Sequence, residues 1–236
     1  MIYAIGDIHG QATMLEAGLN HIRPLLKADD AVVFLGDYID RGEDSSRVFR
    51  VLDTFQKVHW KTFFLQGNHE ELFLRAYDNP HDEFLWLING GADTLVSYGV
   101  EDLDGWRDHI PEDDVDFIRN TQMDLEGNHF YFVHAGIVPP GVSDNVEAGR
   151  DPRLWIRDPF IDYEENFERI VVFGHTIQHS GLPLVMNNKV GLDTGAVIGG
   201  KLSIACFDDD IEPDHPPSFM LYQVDDECNI LQYEIV

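Results

Sequence analysis

The chain has 236 residues and carries 43 Asp plus Glu against 16 Lys plus Arg, a formal net charge of −27. That excess repels duplex nucleic acid and anionic membranes, and so argues against both as partners. A hydrophobic fraction of 44%, with 11% aromatic residues, is enough for a full core, so the charge reads as the solvated surface of a globular protein and not as disorder.

This length fits one domain spanning residues 1–236, because single cores grow to about 250 residues before chains divide. The start, Met-Ile-Tyr-Ala-Ile-Gly-Asp, lacks a basic segment leading into an apolar one, and no apolar run reaches membrane-spanning length. The two cysteines, Cys206 and Cys228, form no CxxC pair and read as reduced thiols. A cytoplasmic location is expected.

In chain order, Ile2–Ile5, Ala31–Leu35, Thr62–Leu65, Phe130–Val133 and Ile170–Phe173 are short apolar or β-branched runs, each followed at once by Gly or His. They predict buried strands. Between the early runs, Met14, Leu15, Leu19, Ile22, Leu25 and Leu26 share one helical face, as do Val48, Leu52 and Phe55. Strand–helix alternation of this kind predicts a layered α/β fold. From Glu70 to about Thr121 the pattern is helical around Phe84, Leu85, Leu87 and Ile88, with a further helix starting at Pro111 ahead of acidic residues. The last third turns β-rich: Leu184–Val185, an Asn187-Asn188 turn, Val190–Leu192, Leu202–Phe207, Met220–Val224 and Ile230–Ile235. These are expected to form an antiparallel sheet that closes the fold. The acidic stretch Asp208–Pro217 reads as a surface loop.

Five polar segments sit where predicted strands end: Gly6-Asp7-Ile8-His9-Gly10, Gly36-Asp37-Tyr38-Ile39-Asp40-Arg41-Gly42, Gly67-Asn68-His69-Glu70, His134-Ala135-Gly136 and Gly174-His175. Ligand sites of α/β sheets collect at the carboxyl ends of strands. Asp7 and His9, two apart on an extended strand end, face the same way, and Asp37, Asn68, His134 and His175 add four more oxygen or nitrogen donors. Six such donors with no thiolate suit two divalent ions, and a carboxylate such as Asp37 can bridge ions about 3.5–4 Å apart, the spacing of two-metal phosphatases. Packing alone is a poor explanation, since each buried polar group left unpaired costs about 1–3 kcal/mol.

Together these segments resemble the phosphoprotein phosphatase superfamily of metallophosphoesterases, with its order GDxHG, GDxxDRG, GNHE, an HxG-type segment and GH. The spacing agrees too: Asp37 follows Asp7 by thirty positions and Asn68 follows Asp37 by thirty-one. Trp86-Leu87-Ile88-Asn89-Gly90-Gly91, Leu154-Trp155-Ile156-Arg157 and Asp193-Thr194-Gly195-Ala196 are similar to the compact serine/threonine phosphatases of bacteria and of bacteriophage lambda. The resemblance implies the calcineurin-like metallophosphoesterase fold, an α/β layered β-sandwich flanked by helices. It leaves a helical insertion at about 70–121 and a C-terminal β extension at about 208–236.

The same resemblance implies site roles. Asp7, His9 and Asp37 would hold one metal, and Asp37, Asn68, His134 and His175 a second. A hydroxide bridging the two would attack phosphorus in line with the leaving alcohol. His69 would be the general acid, Asp40 its orienting partner, and Arg41 and Arg157 the grip on the phosphate oxygens. Manganese is the family expectation for a bacterial member, while the donor set also admits iron, zinc or cobalt. Gln66 stands where many members have arginine, so one charged contact near the site is absent. Tyr38 is expected to wall the cleft, and His21, His59, His81, His109, His129, His179 and His215 to be structural or surface residues.

The implied activity is a protein serine/threonine phosphatase acting on phosphoproteins, phosphopeptides and small phosphomonoesters. A symmetrical diadenosine tetraphosphate hydrolase shares the metal motifs and is the alternative enzyme. A non-catalytic phosphopeptide-binding scaffold is the alternative of another class, disfavoured because all six donors and His69 are present.

Overall fold

The structure, a computed structural model, describes residues 1–59, 61–143, 146–214 and 216–236; of the histidines set aside above, His215 lies outside them. Each apolar run expected to be a strand is one, to within a residue at either end. They are β1 (Ile2–Ile5), β2 (Ala31–Phe34), β3 (Thr62–Phe64), β5 (Phe130–Val133), β6 (Ile170–Phe173), β7 (Leu184–Val185), β8 (Lys189–Gly191), β9 (Leu202–Phe207), β10 (Phe219–Val224) and β11 (Ile230–Ile235). One further strand, β4 (Asp124–Glu126), lacks the apolar composition that would have marked it.

Two mixed sheets result, a six-stranded one ordered β11-β10-β9-β1-β2-β3 and a five-stranded one ordered β4-β5-β6-β8-β7. The expectation of one antiparallel sheet closing the fold is therefore corrected. The late strands divide between two sheets that the early strands begin. β9 pairs antiparallel with β1, Ile2 opposite Phe207, because β2 satisfies only one edge of β1 and the other edge also needs partners. β8 runs parallel to β6, Val172 opposite Val190, and closes a hairpin with β7 across the predicted turn.

Alternation along β1 sorts its side chains. Ala4 faces the other sheet, in an interior shared with Val33, Leu35, Phe130, Phe132, Val172 and Phe207. Tyr3 and Ile5 face α1 (Ala12–Ile22) and α2 (Ser45–Gln56) through Leu15, Leu19, Val48, Leu52 and Phe55. Each such aliphatic or aromatic side chain contributes about 1.5–3 kcal/mol on full burial. α1 stops short of its expected face: Pro24 turns the chain into a 3-10 segment at Arg23–Leu25, leaving Leu25 exposed.

The middle of the chain is helical as expected: α3 (Asn68–Asp78), α4 (Glu83–Trp86), a π-type turn at Leu87–Gly91, α5 (Ala92–Ser97) and α6 (Glu112–Arg119). The buried face differs from the expected one. Trp86 turns inward onto Phe73 and Trp106, while Phe84 and Ile88 point to solvent. Two short helices, α7 (Pro152–Trp155) and α8 (Asp158–Ile161), cover the outer face of the second sheet through Ile156 and Phe160. Cys206 and Cys228 are free thiols. Among the described residues no helix is long and apolar enough to cross a membrane.

Candidate functional site

The carboxyl ends of β1, β2, β3, β5 and β6 open on one place, and the loops beyond them carry all six expected metal donors. Asp7, His9, Asp37, Asn68, His134 and His175 are buried. Among the described residues, six that are not glycine have positive φ, and five of them are His9, Asp37, Asp40, Arg41 and His175. Such conformations cost about 1–3 kcal/mol each and survive only where surrounding contacts enforce them. Here the candidate site residues themselves, and not only the adjoining glycines, make the left-handed turns.

Hydrogen bonds account for the enforcement. Glu70, fully buried, accepts from the backbone N–H groups of Asp37 (2.8 Å), Tyr38 (2.9 Å) and Gly67 (2.9 Å). Gly67 has no room for a side chain, since a Cβ would meet Asp37 Oδ1 at 2.2 Å. Glu70 was part of a sequence motif but received no role; its only signal was a glutamate beside the donors. Tyr38 does not wall the cleft. It is buried, donates its hydroxyl to Leu65 O at 2.8 Å and packs on Phe64 and Phe117, because β2 leads its side chain into the helix-facing core.

The donors converge in two overlapping trios. His9, Asp37 and His69 form one, and Asp37, His134 and His175 the other; within each, the ligand-capable atoms lie within 4.8 Å of one another. Asp37 belongs to both: Oδ2 is 3.3 Å from His9 Nε2 and Oδ1 is 3.4 Å from His134 Nε2. Asn68 Oδ1 lies 3.0 Å from His134 Nε2 and 2.9 Å from His175 Nδ1. Asp7 is held differently, with both carboxylate oxygens accepting the His175 backbone N–H at 3.1 and 2.9 Å. Its remaining lone pairs stay available.

The donor chemistry fits divalent cations. The Nδ1–H groups of His9 and His134 donate to Ile39 O and Leu35 O, each at 2.8 Å, so both rings present Nε2 lone pairs to the cluster. His175 Nε2 is buried with no hydrogen-bond partner. Arg41 Nη1 sits 3.1 Å from His9 Nε2, a positive group against the lone pair that a metal ion would take.

The pair expected at His69 and Asp40 is formed. His69 Nδ1 donates to Asp40 Oδ2 at 2.7 Å, and both side chains are buried. Sequence reasoning missed the groups that fix Asp40. Trp86 Nε1 lies 3.1 Å from each carboxylate oxygen, the Thr94 hydroxyl donates to Oδ1 at 2.7 Å, and Ser45 and Thr94 accept from the Asp40 backbone N–H. Two arginines stand at the rim. The Arg41 N–H donates to Gly90 O at 3.2 Å, and Gly90, at φ +111, has Arg41 where a Cβ would stand. Arg157 Nη1 donates to His175 O at 3.1 Å. Neither guanidinium has an ion pair with a carboxylate among the described residues, although the chain has 43 acidic residues.

The sequence model of the calcineurin-like phosphoesterase family matches residues 1–198. The chain belongs to that family. Calcineurin-like phosphoesterases are metal-dependent, and phosphoester hydrolysis is thereby the activity of this chain. It is 29% identical over 212 residues to serine/threonine-protein phosphatase 1 of Salmonella typhimurium, covering 86% of this chain and 90% of that protein. It is 25% identical over 270 residues to a symmetrical bis(5'-nucleosyl)-tetraphosphatase of a Janthinobacterium species, covering 85% and 90%. A crystal structure of a candidate diadenosine tetraphosphatase superposes with a TM-score of 0.61 at 20% identity, over 99% of this chain and 92% of that one.

In this calcineurin-like phosphoesterase carboxyls are concentrated around the donors, and burial and mutual charge shift their titration. Burial raises the Asp7 carboxyl well above its ordinary value, and the nearby charges of Asp193 and Asp37 add to it. Asp193 itself is buried and raised by desolvation, and it belongs to the site's electrostatics although sequence reasoning gave it no role. Burial also raises Asp37, but the His134, His69 and His9 imidazoles outweigh it and hold the carboxyl well below the usual range. Burial and the Asp37 charge push Glu70 up to about 8. Burial, with its positive neighbours, lowers His175 well below its ordinary value and also lowers His134.

Glu70 binds its proton more tightly folded than unfolded, so its contribution is fully present below about 4.5 and is lost as pH rises through about 8. His134 and His175 oppose this only below their ordinary value of 6.5. Between pH 6.5 and 8 the metal-free protein is therefore expected to lose a few degrees of melting temperature as pH rises. Thermal scans at fixed ionic strength, with and without divalent metal, measure it. The slope should flatten on adding metal, because bound cations favour the carboxylates; a rising melting temperature in the metal-free protein would contradict the assignment.

Proposed function

We propose that the chain is a serine/threonine protein phosphatase that works as a single catalytic unit with two divalent ions, Mn²⁺ foremost. The buried His69–Asp40 pair at 2.7 Å, with His69 itself in the trio that shares Asp37 with the other, carries the reading. Asp7, His9 and Asp37 would hold one ion, and Asp37, Asn68, His134 and His175 the other. When bound, the ions supply an activated water near neutral pH and offset charge on the phosphoryl group.

The remaining steps fall to the protein. Arg41 and Arg157, without a carboxylate partner among the described residues, grip the non-bridging oxygens with guanidinium forks. His69 gives its Nε2 proton to the departing alcohol oxygen while Asp40 accepts from Nδ1 and holds the ring in orientation. Trp86 and Thr94 keep Asp40 in place. Water and the phosphomonoester become alcohol and inorganic phosphate, with no covalent phosphoenzyme.

The Salmonella relative, named a serine/threonine-protein phosphatase, supports a phosphoprotein substrate. The second reading is a symmetrical diadenosine tetraphosphate hydrolase, favoured by the Janthinobacterium relative. One assay separates them: metal-stripped protein, with and without Mn²⁺, on a phosphothreonine peptide and on diadenosine tetraphosphate. Mn²⁺-dependent phosphate release from the peptide is expected. Turnover of the dinucleotide alone would move the chain to the second reading, and peptide binding without any turnover would make it a scaffold.

A further inference from the structure

Beside the site lies a cavity of about 600 Å³ lined by Glu71 and Arg75 of α3, Leu85 of α4, and Glu147, Ala148, Gly149 and Arg150. Two connections join it to the reaction centre. On one side the Trp155 indole N–H donates to Glu71, and the Trp155 ring meets the His175 ring edge-on at 6.3 Å; Arg157 is two residues further on. On the other side, Leu85 O accepts from Asn89 Nδ2 at 2.7 Å, and the next residue, Gly90, holds Arg41. The cavity wall is thus connected, through Trp155 and through Asn89, to residues next to the two phosphate-gripping arginines.

Arg150 is the unusual residue in its wall. Its side chain is only 10% exposed, and its guanidinium carbon sits 3.8 Å over the Trp155 ring. Nη1 is buried with no hydrogen-bond partner, 3.8 Å from the Glu71 carboxylate. Nε bonds at 2.9 Å to Glu147, whose side chain is 76% exposed. A guanidinium already desolvated, stacked on an aromatic ring and bonded to one solvent-exposed carboxylate is preorganised to exchange that partner for another anion. Glu71 is not the exchangeable one, because it is fixed by Trp155 and by Arg75 at 4.0 Å.

We propose that this cavity is a recognition subsite for the peptide next to the phosphorylated residue, and that Arg150 reads an acidic side chain there by taking its carboxylate in place of Glu147. The inference rests on the phosphopeptide reading above. It runs against the chain's overall charge of −27, which disfavours acidic substrates at long range, so a preference for them at screening salt reports a local contact.

The test compares two phosphothreonine peptides, one with aspartate at the three positions on each side and one with asparagine there, at about 0.15 M salt. The ratio of their kcat/KM values within one preparation does not depend on the fraction of protein folded. Wild type is expected to prefer the aspartate peptide about tenfold, the effect of one charge-assisted hydrogen bond. The ratio should fall to about one in Arg150→Gln and rise in Glu147→Gln, where the competing carboxylate is gone. Turnover of both peptides by wild type at equal rates, an unchanged ratio in Arg150→Gln, or no rise in Glu147→Gln overturns the subsite and leaves the phosphatase reading intact. Turnover of diadenosine tetraphosphate with neither peptide hydrolysed removes that reading and the subsite together.

Discussion

His69→Asn is expected to lower kcat on a phosphothreonine peptide by about 10²–10⁴-fold, the usual contribution of a positioned general acid, with little change in KM or bound metal. The side chain has one polar atom free for this work. Nδ1 is committed to Asp40 at 2.7 Å, so Nε2 alone can serve the leaving oxygen. Threonine leaves as a poor alkoxide and needs the proton, whereas p-nitrophenol leaves readily without it. The loss in His69→Asn should therefore be much smaller on p-nitrophenyl phosphate than on the peptide, and equal losses on both would remove His69 from the acid role. Asp40→Asn should show the same leaving-group pattern, and the double variant should be little worse than either single one, because residues acting as a unit are not additive.

That pair also marks how far the sequence could be read. Both members lie in motifs, so their expected roles follow from resemblance, and their placement at strand ends puts them near the donors. What holds the pair was illegible. Trp86 and Thr94 reach Asp40 from 46 and 54 residues away, and nothing in a helical pattern says which tryptophan bonds to a buried carboxylate. The same applies to sheet partners. The apolar runs of β9 and β8 were readable as strands because composition and period are local, but their pairing with β1 and β6 is a long-range choice that composition does not encode.

Backbone strain was illegible for a related reason. Glycines in the motifs suggested where the chain turns, yet His9, Asp37, Asp40, Arg41 and His175 adopt the left-handed conformation themselves. Their propensities argue against it, and only the assembled contacts enforce it, among them the three N–H bonds to Glu70. Local preference thus fails where function requires side chains to converge.

Asp37→Asn is expected to have the largest effect of any single change at the donors, because Asp37 is the one residue common to both trios. Its oxygens lie 3.3 Å from His9 Nε2 and 3.4 Å from His134 Nε2, and Oδ1 also accepts the His69 backbone N–H at 3.1 Å. An amide keeps the shape but removes the negative charge between two cation sites and offers one oxygen in place of two. Wild-type protein dialysed against Mn²⁺ should retain about two ions per chain, and Asp37→Asn fewer than one, with kcat lower by more than about 10³-fold. Asp7→Asn, outside both trios, should lose about one ion. Two ions held by Asp37→Asn at wild-type affinity would sink the shared-ligand assignment. The same variant tests the electrostatics without metal: the Asp37 charge is the cause, second after burial, of the high Glu70 value. Removing that charge should bring Glu70 down and weaken the fall in melting temperature between pH 6.5 and 8.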